Sequence, residues 1–203
     1  MPGMSTEEAY TLCTWKLRES REELADLCTS QGIDCTITNG IKSDKRAGEM
    51  LAEMLLLRRF FGKNVTLCHT EEGAPYIKEV PMHISITHSH DIVCIAFSQH
   101  SPIGIDIEFN SEKTVKVRNK FLNKEELSLF PETDMLKNKQ AWCSKEAIYK
   151  AAKAKGIDLK EDIRIDKDLT AGIFIHNGTE KRYKLRHHPH IDGYMITVAI
   201  PID

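Results

Sequence analysis

The chain has 203 residues, enough for one ordinary domain or two small ones sharing a core, and is 41% hydrophobic and 29% charged. Its formal net charge of -2 supplies no global field for nucleic acid or a membrane surface, so neither is an expected partner, and any anion must be drawn by a local patch. The longest apolar stretches, such as residues 54–57, are far too short to span a bilayer.

Residues 1–8 lack the basic and apolar regions of a secretion signal. The six cysteines, at 13, 28, 35, 68, 94 and 143, include no C-x-x-C pair. The expectation is a cytoplasmic protein with reduced, buried thiols. In chain order, residues 10–17 place Leu12, Trp15 and Leu17 among polar neighbours and predict a first strand. Ser20 before Arg21, Glu22, Glu23 and Leu24 reads as a helix N-cap with an acidic first turn. Ser43 and Asp44 open a longer predicted helix over 45–61, where Ala47, Met50, Leu51, Met54, Leu55 and Leu57 recur at helical spacing until Gly62 ends it.

Strand-like runs follow at 65–68, 83–87 and 92–97, and after Pro102 another at 103–109. Helical patterns cover 115–122, 124–130 and 137–155, and strand patterns close the chain at 173–176, 181–186 and 194–200. No residue-level repeat is visible. Element order alone predicts an α+β fold of two pseudo-symmetric strand–helices–strands halves, residues 1–100 and 101–203, joined near 99–102. The cleft between them is the expected active site, with the C-terminal half carrying the metal-binding motifs.

Three stretches carry chemistry. In Pro102-Ile103-Gly104-Ile105-Asp106-Ile107-Glu108 the isoleucines alternate with Gly104, Asp106 and Glu108. A strand then turns the isoleucines inward and both carboxylates to the other face. Neighbouring carboxylates repel unless a cation lies between them, and hard oxygen donors suit magnesium. Taken alone, an acidic strand face meeting water explains the pattern as well. In residues 140–152, Trp142, Glu146 and Lys150 line one helical stripe. Glu146 could complete a three-carboxylate metal site and Lys150 could hold a phosphate oxygen, whereas a solvent-facing Glu–Lys pair leaves Trp142 without a reason. In residues 84–91, Thr87, His88 and Ser89 end a strand with a hydroxyl and an imidazole suited to phosphate. That stretch is also similar to the T-H-x-H-x-D-H zinc motif of metallo-β-lactamase-like hydrolases. There the spacing fails, because Asp91 follows His90 directly and Ile92 stands where the motif has Asp. His187, His188 and His190 fall in a basic stretch that reads as a loop.

Together, Gly104-Ile105-Asp106-Ile107-Glu108, Trp142-Cys143-Ser144-Lys145-Glu146-Ala147 through Lys150-Ala151, and Ile86-Thr87-His88-Ser89 resemble the 4′-phosphopantetheinyl transferases of the two-domain class that activates peptide synthetases and carrier proteins. The likeness spans about residues 46–155. It implies coenzyme A in the cleft, with magnesium held by Asp106, Glu108 and Glu146 gripping its pyrophosphate. A carrier-protein serine would attack the β-phosphorus and 3′,5′-ADP would leave; removing the serine proton needs a base, and Glu146, directly or through a metal-bound water, is the candidate. Lys150 would hold a phosphate oxygen, and Thr87, His88 and Arg46 would bind nucleotide phosphates, Arg46 at the 3′-phosphate. The implied partners are coenzyme A and an apo acyl or peptidyl carrier protein, and the implied state is a monomer.

The chain departs from the pattern at Gly73-Ala74-Pro75, where the family often has Gly-Lys-Pro, so a phosphate-binding lysine is missing. Lys42, Lys45 and Lys78 are the lysines that could compensate. Arg118, Lys120 and Lys124 around Phe121 and Leu122 offer a basic and apolar carrier-docking surface, or an amphipathic helix with both apolar residues buried. Two rival functions stand beside the transferase: a zinc hydrolase built on His88 and His90, and a non-catalytic carrier-binding module.

Overall fold

Two antiparallel sheets, each with a long helix laid across one face, make up the computed structural model, which describes residues 3–7, 9–109, 112–189 and 193–202. The first sheet gathers β1 (Gly3–Glu7), β2 (Tyr10–Lys16), β3 (Leu67–His69), β4 (Pro75–Ile77), β5 (His83–Ser89) and β6 (Ile92–Ser98) in the order β1-β2-β6-β5-β4-β3. Helices α1 (Arg21–Ser30) and α2 (Asp44–Phe61) lie between β2 and β3 in the chain. The second sheet orders β7 (Gly104–Glu108), β8 (Ile163–Ile165), β9 (Ala171–His176), β10 (Thr179–Pro189) and β11 (Met195–Ile202) as β7-β11-β10-β9-β8. Helices α3 (Lys113–Lys116), α4 (Arg118–Phe121), α5 (Lys124–Leu129) and α6 (Met135–Ala152) come between β7 and β8.

With β1 set aside, the two sheets share one topology. A first strand leads through helices into a four-strand meander, and the last meander strand returns to pair with the first: β6 with β2, and β11 with β7. This is the α+β, pseudo-symmetric plan that element order predicts. One face of the first sheet packs on α1 and α2 through Trp15, Leu24, Leu51, Leu55, Ile84 and Phe97. One face of the second packs on α6 through Ala147, Ile148, Ala151, Phe174, Tyr183 and Leu185. A third cluster joins the sheets: Tyr10, Leu12, Ile92 and Cys94 from the first meet Ile103, Ile105, Ile107 and Ile196 from the second.

The local signals behave as their chemistry requires. Ser20 Oγ accepts from the Glu23 N–H, and the Glu23 carboxylate accepts from the Ser20 N–H at 2.7 Å, a reciprocal cap. Gly62 ends α2 at φ 68°, a left-handed turn open to glycine. The differences from the predicted elements have simple causes. β4 and β8 are three-residue strands, too short for alternation to register, and β1 is likewise unannounced. The predicted helix over 115–122 breaks at Val117 into α3 and α4. β10 continues to Pro189, so His187 and His188 are strand residues rather than loop residues, while His190 lies outside the described residues. His187 is held by the Thr197 hydroxyl at 2.9 Å and the Leu169 carbonyl at 2.7 Å. Cys13, Cys28, Cys94 and Cys143 are buried free thiols, with Cys35 and Cys68 half-buried. Among the described residues no helix is long and apolar enough to cross a membrane.

Candidate active site

β7 presents two different faces. Ile103, Ile105 and Ile107 are buried between the sheets. The alternate residues Gly104, Asp106 and Glu108 face α6, so the acidic face is covered by a helix and not by water. Gly104 permits this cover: a Cβ there would lie 1.9 Å from the Ala147 carbonyl oxygen and 2.6 Å from the Ala151 nitrogen. The close approach brings Glu146 and Lys150 of α6 over the strand and leaves Asp106 only 7% exposed.

Lys150 Nζ donates to Asp106 Oδ1 at 2.8 Å and to Thr87 Oγ1 at 3.2 Å, and the Thr87 hydroxyl donates to the same Asp106 oxygen at 3.3 Å. A strand of the first sheet, β5, and the helix α6 thus converge on one carboxylate of β7 in the second sheet. The other oxygen, Asp106 Oδ2, is buried and accepts no hydrogen bond from an N–H or hydroxyl donor, with only the weakly donating, buried Cys143 thiol close to this carboxylate. An ionised carboxylate oxygen left bare inside a protein is costly, and a bound cation is the usual remedy. Burial raises the pKa of Glu146, Asp106's charge raises it further, and Lys150 opposes both. Burial also raises Glu108, against the Phe109 N–H that its carboxylate accepts at 3.0 Å.

The donor set therefore suits a hard divalent ion in chemistry, with Asp106 Oδ2 the oxygen left unpaired. Among the described residues, however, no three His, Cys, Asp or Glu side chains are arranged to hold a metal ion. The Lys150 ammonium neutralises Asp106 in this arrangement. His88 and His90 do not converge on a zinc site either. His88 turns to Arg46 and Glu49, while the His90 ring packs on Phe109 at 4.8 Å.

The second group of predicted residues meets on the first sheet. Arg46, on the first turn of α2, reaches His88 at the end of β5, its Nη1 lying 3.2 Å from His88 Nε2. The same guanidinium donates to Glu49 Oε2 at 3.3 Å and Glu53 Oε1 at 3.2 Å, and His88 Nδ1 is 3.5 Å from Glu49 Oε1. Both glutamates are buried, at 4% and 5% exposure. Burial lowers the His88 pKa against the pull of Glu49, with Arg46, Lys150 and Lys45 lowering it further. The Arg46, Glu49 and Glu53 spacing of i, i+3 and i+7 was available in the sequence, but hydropathy has no symbol for a buried carboxylate paired to its own helix.

A cavity of about 180 Å³ opens beside Lys150, lined by Ala74, Pro75, Ser85, Tyr149, Lys150 and Lys153. It is walled by the first sheet and by α6. Lys153 shares it with Ala74, so the end of α6 supplies a lysine to the cavity that Lys42, Lys45 and Lys78 do not line. Burial lowers the Lys153 pKa.

Other side chains of the motifs serve the fold. Trp142 packs edge-on against Phe121 with ring centroids 5.0 Å apart. Lys145 is fully buried, paired with Glu126 at 2.6 Å and donating to the Leu159 and Ile163 carbonyls at 3.0 and 2.7 Å. Burial lowers its pKa and Glu126 opposes that. Phe121 and Leu122 are core residues at 1% and 0% exposure, and Arg118 donates to Asn138, Leu127 and Phe130. The docking surface expected there is thus replaced by the buried alternative.

A family model described as the 4′-phosphopantetheinyl transferase superfamily matches residues 102–199. The chain is 26% identical over 162 residues to the 4′-phosphopantetheinyl transferase gsp of Aneurinibacillus migulanus, covering 74% of this chain and 67% of that one. It is 34% identical over 138 residues to the 4′-phosphopantetheinyl transferase of Bacillus subtilis, covering 64% of this chain and 60% of that one.

Proposed function

We propose, from this likeness to the 4′-phosphopantetheinyl transferases and from the site geometry, that the chain moves 4′-phosphopantetheine from coenzyme A to a serine of an apo acyl or peptidyl carrier protein. The observation that carries this reading is the convergence of Thr87 and Lys150 on one oxygen of the buried Asp106 carboxylate, whose second oxygen accepts from neither. A lone structural ion pair does not need a bare oxygen beside it; a site that exchanges a lysine contact for a cation and a phosphate does.

Magnesium, held by Asp106, Glu108 and Glu146, would neutralise charge on the pyrophosphate oxygens and help orient them. Phosphoryl transfer is mostly positioning and charge neutralisation, and the chain's own cations supply both. Lys150 turns from Asp106 to a pyrophosphate oxygen, and Thr87 follows with its hydroxyl. Arg46 and His88 take the 3′-phosphate, and Lys153, lining the cavity with Ala74, stands in for the lysine absent at that turn. The serine Oγ bonds to the β-phosphorus, the bridge to the α-phosphate breaks, and 3′,5′-ADP departs with the bond's electron pair. Glu146 accepts the serine proton. Two halves in one chain complete the cleft, so the working form is a monomer.

Incubation with coenzyme A, magnesium and a panel of apo carrier proteins tests the reading. The expected result is a mass gain of one phosphopantetheine group on a carrier serine, dependent on added magnesium. No gain on fatty-acid, polyketide or peptide-synthetase carriers would overturn it.

A further inference from the structure

Glu49 and Glu53 have no part in the mechanism above, yet they are buried and enclose the cation assigned to the 3′-phosphate. Arg46 brings one positive charge to the cluster and the two carboxylates bring two negative ones. His88 does not offset the difference, because burial favours its neutral form. A phosphate dianion entering between Arg46 and His88 meets two like charges at close range, an arrangement that poorly solvated groups resist unless a proton is added. Meanwhile the contacts at 3.3 and 3.2 Å fix the guanidinium beside His88.

We propose that Glu49 and Glu53 are positioning residues of the 3′-phosphate subsite: they hold Arg46 against His88, and the phosphate is accepted together with a proton taken up by Glu53. The inference rests on the reading that Arg46 and His88 meet the 3′-phosphate. Glu53 is the acceptor for two reasons. Its burial already favours the protonated form, against the pull of Arg46. It also lines a cavity of about 470 Å³, shared with Arg46, through which water and protons can reach it. The charged and titratable groups around it are Arg46 and Glu49 from α2, Asp34 and His69 across that cavity, and His88 from β5. Lys45 and Lys150 act on His88.

The test is calorimetric titration of the full chain with coenzyme A and with 3′-dephospho-coenzyme A. Magnesium is present, and two buffers of different ionisation enthalpy are used at about pH 7.5, where a phosphate monoester is already a dianion. The difference between ligands isolates the 3′-phosphate. Expected is an uptake of about one proton more with coenzyme A. That excess is absent in Glu53→Gln, and Glu49→Gln lowers the preference for coenzyme A about tenfold by loosening Arg46. A side chain that merely supported the fold would leave the proton count unchanged. Equal proton counts for the two ligands, with the preference for coenzyme A intact, would overturn the inference alone. So would an excess that survives Glu53→Gln and vanishes in His88→Gln, since the proton then belongs to the imidazole. Equal affinities for the two ligands would remove the 3′-phosphate reading itself, and the inference with it.

Discussion

The clusters on α2 and α6 are built alike and balanced differently. Each sets a long helix against a strand and places a cation among carboxylates: Arg46 with Glu49 and Glu53, Lys150 with Asp106 and Glu146 nearby. Around Arg46 the carboxylates come from the cation's own helix, and both are tied to it. Around Lys150 they come from a second element as well, and one oxygen of Asp106 is left bare. The first arrangement ties both carboxylates to one cation; the second leaves one carboxylate oxygen unpaired, which under the proposed function is the place for another ion. A buried pair is weak evidence of stability in either case, so stability alone does not explain the contrast.

The largest effect should come from Asp106→Ala, which removes the carboxylate at the centre of the second cluster. Carrier modification measured by mass spectrometry should fall by about 10³-fold, the scale of losing a principal electrostatic contact in a transfer site. The circular dichroism spectrum should be unchanged, and the proton uptake assigned to Glu53 should persist, which separates the two clusters. Normal transfer by this variant would dissolve the contrast.

Next comes Lys145→Met, beside Glu146 in the chain but on the helix's buried side. It strands Glu126, which also accepts from the Ile165 and Asn123 N–H groups. Unfolding in urea should show a loss of about 3–5 kcal/mol. A second change, Glu126→Leu, should recover only part, because those two N–H groups lose their acceptor. The turnover of the folded fraction should drop far less than in Asp106→Ala. Gly104→Ala should be milder in stability, costing about 1–3 kcal/mol by overpacking. Its Cβ pushes α6 off β7, and a displacement near 1 Å should lower transfer about 10²-fold. A variant that keeps full transfer would show that the two carboxylate-bearing elements need not be so close.

The second cluster was largely legible in the sequence, the first only in its exposed members. Alternation in residues 103–108 separates Asp106 and Glu108 from the isoleucines, and helical spacing ties Glu146 to Lys150; both patterns are local. What covers the acidic face is not local: α6 reaches β7 because Gly104 lacks a Cβ, and a single glycine in a strand does not name its partner. Glu49 and Glu53 escaped because a charged residue within an apolar stripe reads as a solvent position until Arg46 and the distant His88 are folded onto it. Phe121, Leu122 and Arg118 misled in the opposite sense, since a short mixed helix does not disclose which face is buried.

The smallest effect, and the one that bears most directly on the bare oxygen, is the dependence of stability on pH and magnesium. Burial raises the pKa of Glu146, Glu108 and Glu53 above the ordinary value of 4.5. A folded state that holds protons more tightly than the unfolded chain is favoured at low pH and loses that advantage as pH rises through the raised values. With divalent cations chelated, the melting temperature contribution of these groups should therefore decline from about pH 4.5 upward until all three are ionised. Magnesium should restore what Glu146 and Glu108 lose, and the gain it gives should widen as pH rises. Glu53 lies in the other cluster, so its share of the decline should remain with magnesium present and disappear in Glu53→Gln. If magnesium instead raised the melting temperature equally at all pH values, or rescued the share belonging to Glu53, the division between a cluster that holds its cation and one that awaits it would fail.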